Sequence, residues 1–308
     1  MNKNFNTAIA IRSFNLHSDT YAKLSKSTNI VFVNSSGQRL TEMDLCNAIT
    51  DVDGIIAGTE SYNANVLKSA PHLKVISRVG VGLDNIDLEY AKKRGICVLN
   101  TPIAPVDAVA EHTIALIFSI FKKIPQYYDK VHQGDYSIQP GSLISGKTIG
   151  IIGLGRIGQK VATLLDALDT KIIFFDPLVK KNVPEKWVQI DNINNLFKTA
   201  DVISLHSSPQ SGNLPVLDKN AFARCKAGVV IINTARGSLI DEGALIHALD
   251  SGIVSSAGLD VVSVEPYKGA LLDYPQVVIT PHVASNTVES RQQMEIEAVE
   301  NILHTFGI

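Results

Sequence analysis

Three polar residues of this chain stand just beyond apolar runs, and their side chains suit acid–base chemistry on a carboxylic acid. They are Arg236, Glu265 and His282. A guanidinium can bind a carboxylate through two parallel hydrogen bonds, an imidazole can exchange a proton near neutral pH, and a carboxylate can orient that imidazole. Taken singly, each residue has an ordinary alternative role as a solvated charge, a loop residue or a backbone-bonded histidine. Because each apolar run is a predicted strand, we expect the three side chains to face one cleft.

The segment KTIGIIGLGRIGQKVATLLDALDTKIIFFD, residues 147–176, has the pattern of a dinucleotide-binding turn. A β-branched run leads into Gly153, Gly155 and Gly158, and a helical pattern over 159–168 and a second strand follow. The first glycine permits a tight turn, the second lets backbone approach a pyrophosphate, and the third lets the helix pack closely on the strand. A purely structural glycine turn is the alternative, but the flanking strands and helix favour cofactor binding.

Asp176 stands at the end of that second strand, where its carboxylate can accept hydrogen bonds from an adenosine ribose. The N–H groups of Arg156 and Ile157, at the start of the helix, can meet the phosphates. A carboxylate at this position repels the 2′-phosphate of NADP, so the segment predicts NAD as the cofactor. Lys180 and Lys181 weaken the prediction of NAD over NADP, because they bring two cations close to the same site.

Composition narrows the classes of partner. The 308 residues are enough for two domains, and a formal net charge of -2 without a long Lys/Arg block argues against nucleic acid or an anionic membrane. The most apolar helical stretch, 113–121, is too short to span a bilayer, and no signal peptide is evident. We expect small-molecule partners and a soluble, cytoplasmic protein. Cys46, Cys97 and Cys225 match no metal or disulfide pattern, and we expect reduced thiols, mostly packed in cores.

Strand-like and helix-like segments alternate along the chain, which predicts an α/β protein with parallel sheets. A first series of strands is predicted at residues 7–12, 30–33, 54–57, 74–77 and 97–99, with helices at 41–50 and 88–94. A second series of strands is predicted to begin near residues 148, 171, 202, 229, 257 and 277. The last helical segment, 288–306, has no strand after it and can pack back on the first series.

We therefore expect two doubly wound domains with a cleft between them. Residues 1–99 and 285–308 are predicted to form the substrate-binding domain, and residues 100–284 the dinucleotide-binding domain. The loop SRVGVGLDNID, residues 77–87, leaves backbone N–H groups uncovered near Gly80, and such a loop can hold a carboxylate. A tight strand-to-helix turn is the alternative, and the loop alone favours neither.

Four motifs, in their order and spacing, resemble the NAD-dependent D-2-hydroxyacid dehydrogenase family. They are GKTIGIIGLGRIG, NTARGSLIDE, GLDVVSVEP and TPHVAS. The likeness covers nearly the whole chain, and LKVISRVGVGLDNIDLEYAKKRGICVLNTP is most similar to the D-3-phosphoglycerate dehydrogenase branch. The resemblance implies a flavodoxin-like substrate domain, a Rossmann-type NAD domain and a two-fold homodimer built largely from the helix within residues 108–121.

The resemblance also implies a role for each matching residue. Arg236 would bind the carboxylate and carbonyl oxygen of the substrate, His282 would be the general acid–base, and Glu265 would pair with its imidazole as a buried carboxylate. Asp260 would hold the nicotinamide carboxamide. The full set of candidate cofactor-binding residues is Gly153, Gly155, Arg156, Ile157, Gly158, Asp176, His206, Ala235 and Asp260.

The candidate substrate-binding residues lie in the 77–87 loop. Backbone N–H groups around Val79 and Gly80 would bind the carboxylate. Arg78 would reach a distal phosphate, with a structural or solvated cation as the alternative. Gly58, however, stands where phosphoglycerate enzymes often carry an arginine, which weakens the prediction of a phosphorylated substrate.

Two further departures from the family pattern concern loops. In HSSPQSGN, residues 206–213, the proline stands at position 209, one place later than in relatives, which puts contacts near the nicotinamide ribose in doubt. The sequence ends at Ile308 without an extension like the regulatory domains of long phosphoglycerate dehydrogenases, so feedback inhibition through such a domain is not expected.

Three functions are compatible with the sequence. The first is oxidation of 3-phosphoglycerate or reduction of its keto acid. The second is reduction of a small unphosphorylated 2-keto acid, such as hydroxypyruvate or glyoxylate. The third is a non-catalytic NAD-sensing regulator, because transcriptional corepressors share this fold. The intact Arg236, Glu265 and His282 set counts against the third, and the sequence leaves the physiological direction open.

Overall fold

The computed structural model describes residues 4–178, 182–209 and 214–308. The chain divides into two compact units, Met1–Pro105 with Asn286–Ile308, and Val106–Ser285. The first unit contains a five-stranded sheet and the second a seven-stranded sheet. The strand pairs of both sheets are parallel. The predicted α/β class with two parallel sheets is therefore confirmed.

The first unit alternates short strands with helices. Its strands are β1 (Asn6–Ile9), β2 (Asn29–Val33), β3 (Gly54–Ala57), β4 (Val75–Arg78) and β5 (Cys97–Asn100), and its early helices are α1 (Asp19–Ser27), α2 (Glu42–Ala48), α3 (Ala64–Lys68) and α4 (Leu88–Lys93). The strand order is β2-β1-β3-β4-β5. All four residues of the central strand β3 are buried, as a parallel strand covered on both faces requires.

Side-chain caps fix where helices of this unit begin. Ser18 and Asn63 each accept a hydrogen bond from the backbone N–H three residues further along, and so does Thr287 at the start of the last helix. Each cap supplies an acceptor for a first-turn N–H group that has no partner within the helix. The apolar face of each helix therefore begins at a defined residue.

The last helix of the chain, α11 (Val288–Phe306), belongs to the first unit. Its buried residues Met294, Val299 and Ile302 form one apolar cluster with residues of the sheet, among them Ile9 and Ile56. Helix α11 therefore packs on the face of the five-stranded sheet to which Ile9 and Ile56 contribute.

The second unit begins with two helices and continues as a strand–helix alternation. Its strands are β6 (Thr148–Ile152), β7 (Lys171–Phe175), β8 (Val188–Gln189), β9 (Val202–Leu205), β10 (Val229–Asn233), β11 (Val254–Leu259) and β12 (Val277–Ile279). Its helices are α5 (Pro105–Phe121), α6 (Ile124–His132), α7 (Arg156–Asp166), α8 (Ile193–Thr199), α9 (Lys219–Phe222) and α10 (Glu242–Asp250). Short 3₁₀ turns lie at Gly237–Leu239 and Ala270–Asp273.

The strand order of the second sheet is β12-β11-β10-β9-β6-β7-β8. From β6 the chain builds outward to β8, then returns to β9 and builds in the opposite direction. The turn after β6 and the turn after β9 therefore lie side by side at the point where the winding reverses. In open parallel sheets, ligands bind at this switch point beyond the carboxyl ends of the strands.

Several element boundaries differ from the sequence predictions. The helix after the glycine turn starts at Arg156 and ends at Asp166, not at 159 and 168, and β11 starts at Val254 rather than Ala257. The two-residue strand β8 was not predicted, because an edge strand of that length carries no periodic signal. Among the described residues, no helix is long and apolar enough to cross a bilayer.

The cysteine prediction needs a correction. All three cysteines are free, as expected, but none is fully buried: Cys97 is exposed, and Cys46 and Cys225 are half-buried. Cys97 is the first residue of the edge strand β5, where a side chain can face solvent. Cys46 and Cys225 pack against the margins of apolar clusters.

Candidate active site

The glycine turn after β6 has a geometry that requires glycine. Gly153 adopts a φ of 91°, and a Cβ on it would lie 2.7 Å from the backbone nitrogen of Ser207. A Cβ on Gly158 would lie 2.1 Å from the carbonyl oxygen of Gly153. Both approaches are too close for any side chain. The turn therefore packs against the β9 loop and lets the following helix begin directly on it.

The start of α7 offers unblocked donors. Gly155 is the residue before the helix, it makes no side-chain cap, and a Cβ on it would meet no atom within 4 Å. Arg156 and Ile157 form the first turn, where N–H groups have no partner within the helix. Open space above a helix start with exposed N–H groups suits a pyrophosphate, so this turn fits a dinucleotide.

Asp176 follows β7 and is tied to the same turn. Its Oδ2 accepts a hydrogen bond from the N–H of Leu154 at 2.8 Å, and its Oδ1 accepts one from the N–H of Leu178 at 2.9 Å. The carboxylate is thus held in place beside the glycine turn. Lys180 and Lys181, the reservation about NAD, lie outside the described residues, and so do residues 210–213 of the atypical loop.

His206 follows β9 and lies against the glycine turn. Its Nε2 is 2.8 Å from the Oγ of Ser204, and burial lowers the pKa of His206 to about 4. The imidazole is therefore neutral at pH 7 and is not a proton donor there. Ala235, another cofactor candidate, follows β10, and its N–H donates to the Oδ1 of Asn233 at 3.0 Å.

Arg236 stands beyond β10, where Asn233 fixes its backbone. The Nδ2 of Asn233 donates to the carbonyl oxygen of Arg236 at 2.8 Å, and the Nη1 of Arg236 donates to the carbonyl of Ala235 at 2.7 Å. The backbone at Arg236 is extended and leads directly into a 3₁₀ turn. The guanidinium is therefore presented from a short, internally bonded segment at the carboxyl edge of the sheet.

Glu265 and His282 are in contact. Oε2 of Glu265 lies 3.0 Å from Nδ1 of His282, and their side chains are 42% and 47% exposed. The expectation of a buried carboxylate was wrong, because Glu265 lies in a loop rather than in the sheet. With Nδ1 facing the carboxylate, Nε2 is the nitrogen left to exchange a proton with another molecule.

Asp260 follows β11 and has an internal role. Its side chain is 1% exposed, and it accepts hydrogen bonds from the hydroxyl of Thr280 at 2.6 Å and the N–H groups of Val283 and Ala284, each at 2.9 Å. Burial alone would raise the pKa of Asp260, but these bonds and one from His112 outweigh it and lower the pKa to about 2. Its expected contact with a nicotinamide carboxamide would have to be made in addition to these bonds.

Sequence reasoning missed His112. Its Nε2 lies 3.0 Å from the Oγ1 of Thr280 and 3.4 Å from Oδ1 of Asp260. His112 lies on α5, 168 positions before Thr280, and no local sequence pattern links the two. In the sequence analysis, position 112 falls only within the helix of residues 108–121, which the resemblance assigns to the dimer contact.

In the first unit, Arg78, Val79 and Gly80 do not have the expected geometry. The N–H of Val79 donates to the carbonyl of Ala57 at 2.9 Å, and the N–H of Gly80 donates to the Oγ1 of Thr101 at 2.7 Å. Neither N–H is open to a substrate carboxylate. The Arg78 guanidinium folds back, with its Nη1 donating to the carbonyl of Val79 at 2.9 Å.

The next two residues of the loop are better placed to donate. Val81 is exposed and Gly82 is half-buried, and no described residue accepts a hydrogen bond from either N–H. The two N–H groups predicted to bind a carboxylate, those of Val79 and Gly80, are thus already used within the protein.

The model of one protein family matches residues 114–284, a span that includes the glycine turn and the Glu265–His282 pair. The family is described as "D-isomer specific 2-hydroxyacid dehydrogenase, NAD binding domain". The chain belongs to the D-isomer specific 2-hydroxyacid dehydrogenase family. The predicted family and the prediction of a dehydrogenase-family enzyme are therefore confirmed, and the second unit contains the NAD-binding domain of that family.

Curated relatives within the 2-hydroxyacid dehydrogenase family carry two different substrate names. The chain is 37% identical over 281 residues to a hydroxypyruvate reductase of Thermotoga maritima, covering 89% of this chain and 91% of the relative. It is 36% identical over 263 residues to a D-3-phosphoglycerate dehydrogenase of Mycobacterium bovis, covering 84% of this chain and 50% of the relative. The chain thus spans about half the length of the phosphoglycerate dehydrogenases it matches.

Among solved structures, the chain is similar to an acyclic imino acid reductase in complex with NADPH and D-Arg. The TM-score is 0.89, with 31% identity, and the match covers 98% of this chain and 97% of that one. The chain is also similar to a putative D-isomer specific 2-hydroxyacid dehydrogenase from Polaromonas sp. JS6 66, with a TM-score of 0.86 and 27% identity over 97% of this chain and 95% of that one, so the family fold extends over both units.

Proposed function

We propose that this chain is a D-2-hydroxyacid dehydrogenase that uses NAD to interconvert a 2-hydroxy acid and its 2-keto acid. The observation that carries the proposal is the 3.0 Å contact between Glu265 and His282, in the same unit as the glycine turn. The side chain of His282 is 47% exposed, and a histidine whose Nδ1 faces a carboxylate has Nε2 left to exchange a proton with a hydroxyl group. The family membership supports the same chemistry.

The proton transfer follows from the orientation of the imidazole. In oxidation, the neutral ring keeps its proton on Nδ1, toward Glu265, and Nε2 accepts the proton of the substrate hydroxyl. A bound NAD, held at the glycine turn, would supply the acceptor for the hydride of C2. In reduction, Nε2 of the imidazolium donates to the carbonyl oxygen, and Arg236 stabilises the negative charge developing on it.

We propose NAD rather than NADP as the preferred cofactor. Support comes from Asp176, whose carboxylate is fixed by the N–H groups of Leu154 and Leu178 beside the turn that fits the pyrophosphate. A fixed carboxylate can accept hydrogen bonds from ribose hydroxyls, and it repels a 2′-phosphate. The imino acid reductase with bound NADPH makes the comparison of NADH with NADPH a necessary test.

For the substrate, we propose 3-phosphoglycerate and phosphohydroxypyruvate as the preferred pair. Three arginines of the first unit supply positive charge that an anionic substrate tail would need. Burial raises the pKa of Glu60 and backbone N–H groups oppose that effect, while the charges of Arg39 and Arg12 act on the same carboxylate. Arg78, on the neighbouring loop, supplies a third guanidinium. The likeness to the mycobacterial enzyme points the same way.

A specific observation favours the second candidate, an unphosphorylated 2-keto acid such as hydroxypyruvate or glyoxylate. Glu60 is 2% exposed, and its Oε2 accepts a hydrogen bond from the N–H of Gly58 at 3.0 Å. A Cβ at position 58 would lie 2.8 Å from that oxygen, so an arginine there would displace the carboxylate. Where phosphoglycerate enzymes often carry an arginine, this chain has a glycine next to the carboxylate of Glu60. The site thus has a smaller side chain and a negative charge in place of a positive one.

We propose a homodimer as the assembled form. Apolar side chains of α6 and the segment after it are exposed, which a second copy of the chain would cover. They are Ile124, Tyr128, Val131, Tyr136, Ile138 and Leu143. In the sequence α6 directly follows α5, the helix on which the family resemblance places the dimer contact. Light scattering across a range of concentrations tests this proposal, and a monomer at micromolar concentration would contradict it.

A panel of 2-keto acids, assayed with NADH and NADPH, tests the proposed function. Phosphohydroxypyruvate, hydroxypyruvate, glyoxylate and pyruvate should be compared by kcat/KM. We expect turnover of at least one, with NADH preferred and phosphohydroxypyruvate the best substrate. Preference for hydroxypyruvate would favour the second candidate. Binding of NADH without turnover of any acid would instead indicate an NAD-sensing regulator.

A further inference from the structure

His282 is held in an unusual backbone conformation. Its φ is 55°, in the left-handed region that residues other than glycine seldom adopt. The N–H of His282 donates to the carbonyl of Asp260 at 2.9 Å. Histidine enters this region more often than most residues but still seldom, so the bonds around His282 help to maintain the conformation.

Those bonds converge on the carboxylate of Asp260. Oδ1 accepts from the hydroxyl of Thr280 and from the N–H of Val283, and Oδ2 accepts from the N–H of Ala284. The three donors lie on both sides of His282 in the chain. The position of the imidazole therefore depends on the orientation of one buried carboxylate.

The proton positions around Thr280 follow from the distances. The hydroxyl of Thr280 donates its proton to Oδ1 of Asp260, since that contact is 2.6 Å. Because this proton is used, Oγ1 of Thr280 can only accept a hydrogen bond from Nε2 of His112, which lies 3.0 Å away. Nε2 of His112 must then carry a proton. Nε2 of His112 also lies 3.4 Å from Oδ1 of Asp260.

The helix that carries His112 is fixed independently. The hydroxyl of Thr113 donates to the carbonyl of Val109 at 2.8 Å and is 3.0 Å from the hydroxyl of Thr234, which follows β10. Both threonines are buried. His112 is therefore presented from a helix that is bonded to the strand end leading to Arg236.

We propose that His112 is a positioning residue for the acid–base histidine. Its Nε2–H orients Thr280 and Asp260, and these hold residues 282–284 so that Nε2 of His282 is directed at the substrate. The inference rests on the proposed role of His282. It assigns to α5 a part in catalysis, although no residue of α5 is expected to touch the substrate.

The test compares three substitutions in the full-length enzyme. His112→Ala removes the donor, and His112→Gln keeps an N–H at nearly the same reach. His247→Ala, at an exposed position of α10, is the matched control. The single-turnover rate of NADH oxidation, KM for the keto acid, Kd for NADH and Tm are measured for each.

We expect His112→Ala to slow turnover by about ten- to a hundredfold, because small displacements of a reacting group have effects of this size. KM and the Kd of NADH should change by less than about threefold, and His112→Gln should recover most of the rate. His247→Ala should match the wild type. General destabilisation of the fold, seen as a lower Tm, would not slow turnover while leaving KM and the Kd of NADH nearly unchanged.

Two results would overturn the proposal: a wild-type rate in His112→Ala, or equal rate losses in His112→Ala and His112→Gln. Histidine ¹⁵N NMR gives an independent test, since the resonance lost in His112→Gln must belong to a protonated Nε2. His282→Ala distinguishes failure of the proposed function from failure of the positioning role of His112. If that variant turns over normally, the proposed function fails, whereas a loss there with normal His112 variants defeats the positioning role alone.

Discussion

Oε2 of Glu265 lies 3.0 Å from Nδ1 of His282, and nearly half of each side chain is exposed. The pair thus sets the orientation of the ring and leaves its other nitrogen accessible. Because the contact is not buried, its strength should fall with ionic strength. Its main contribution is geometric.

His282→Ala should reduce turnover by about a hundredfold or more, the range that a general acid–base contributes. Glu265→Gln retains a hydrogen-bonding side chain without the charge, and we expect a smaller loss of about tenfold. Steady-state kinetics with NADH titrations measure both effects. NADH binding should persist in both variants, since neither residue lies at the glycine turn. Undiminished turnover in His282→Ala would exclude the proposed mechanism.

Cofactor preference should depend on Asp176. We expect NADH to be favoured over NADPH by about tenfold or more in kcat/KM, which corresponds to about 1.4 kcal/mol. Asp176→Ser should narrow that ratio by removing the charge. Asp176→Asn should narrow the ratio as well, because it removes the same charge while its amide oxygen still accepts one of the N–H bonds from Leu154 or Leu178, and it therefore separates the effect of charge from that of the lost hydrogen bonds. Equal efficiency with both cofactors in the wild type would show that Asp176 does not select between them.

Arg236→Lys should lose activity on every 2-keto acid. An ammonium cannot form the two parallel hydrogen bonds of a guanidinium, and we expect kcat/KM to fall by about a hundredfold. Arg224→Lys is the control, since Arg224 is exposed and its Nη1 donates to the carbonyl of Asn220. Loss on some acids but not others would assign Arg236 to the substrate tail instead of the shared carboxylate.

Arg78→Ala distinguishes the two substrate candidates. If the guanidinium meets a distal phosphate, kcat/KM should fall about tenfold more for phosphohydroxypyruvate than for hydroxypyruvate, because only the first carries the dianion. The second substrate serves as the internal control for folding and for binding of the shared keto acid. Equal losses on both would make Arg78 a structural cation.

Folding stability should fall in mild acid because of His206. Burial lowers the pKa of His206 from 6.5 to about 4, so between these values the unfolded chain binds a proton that the folded protein excludes. The full stability is present above pH 6.5 and is lost as the pH falls toward 4, by up to about 3 kcal/mol. His206→Asn should remove this part of the pH dependence in urea unfolding. The same substitution at exposed His304 should leave it unchanged.

The elements that sequence predicted well are those whose own residues determine them. The strand Gly54–Ala57 was predicted with its observed bounds because a buried parallel strand is a short, continuous apolar run. The helix 288–306 also matched, since Thr287 caps its start and Gly307, with a φ of 71°, ends it. The edge strand Val188–Gln189 was missed because pairing with β7, and not its composition, makes it a strand.

The candidate site divides in the same way. Arg236, Glu265 and His282 were found because strand ends and motifs are local features. The occupied N–H of Gly80 was not, because its acceptor Thr101 is 21 positions away, on the neighbouring strand end. The contact of His112 with Thr280 has a still longer separation. Hydrogen bonds between distant segments appear only once the chain has folded.

The packing of α11 on the first unit has a consequence for the order of folding in the cell. The ribosome synthesises β1 to β5 first, but Val299 and Ile302, which pack on the sheet surface around Ile9 and Ile56, are synthesised last. The whole of the second unit is synthesised in between. The second unit can therefore complete its core before the first, and a nascent chain halted ahead of residue 288 would present an uncovered apolar sheet to chaperones.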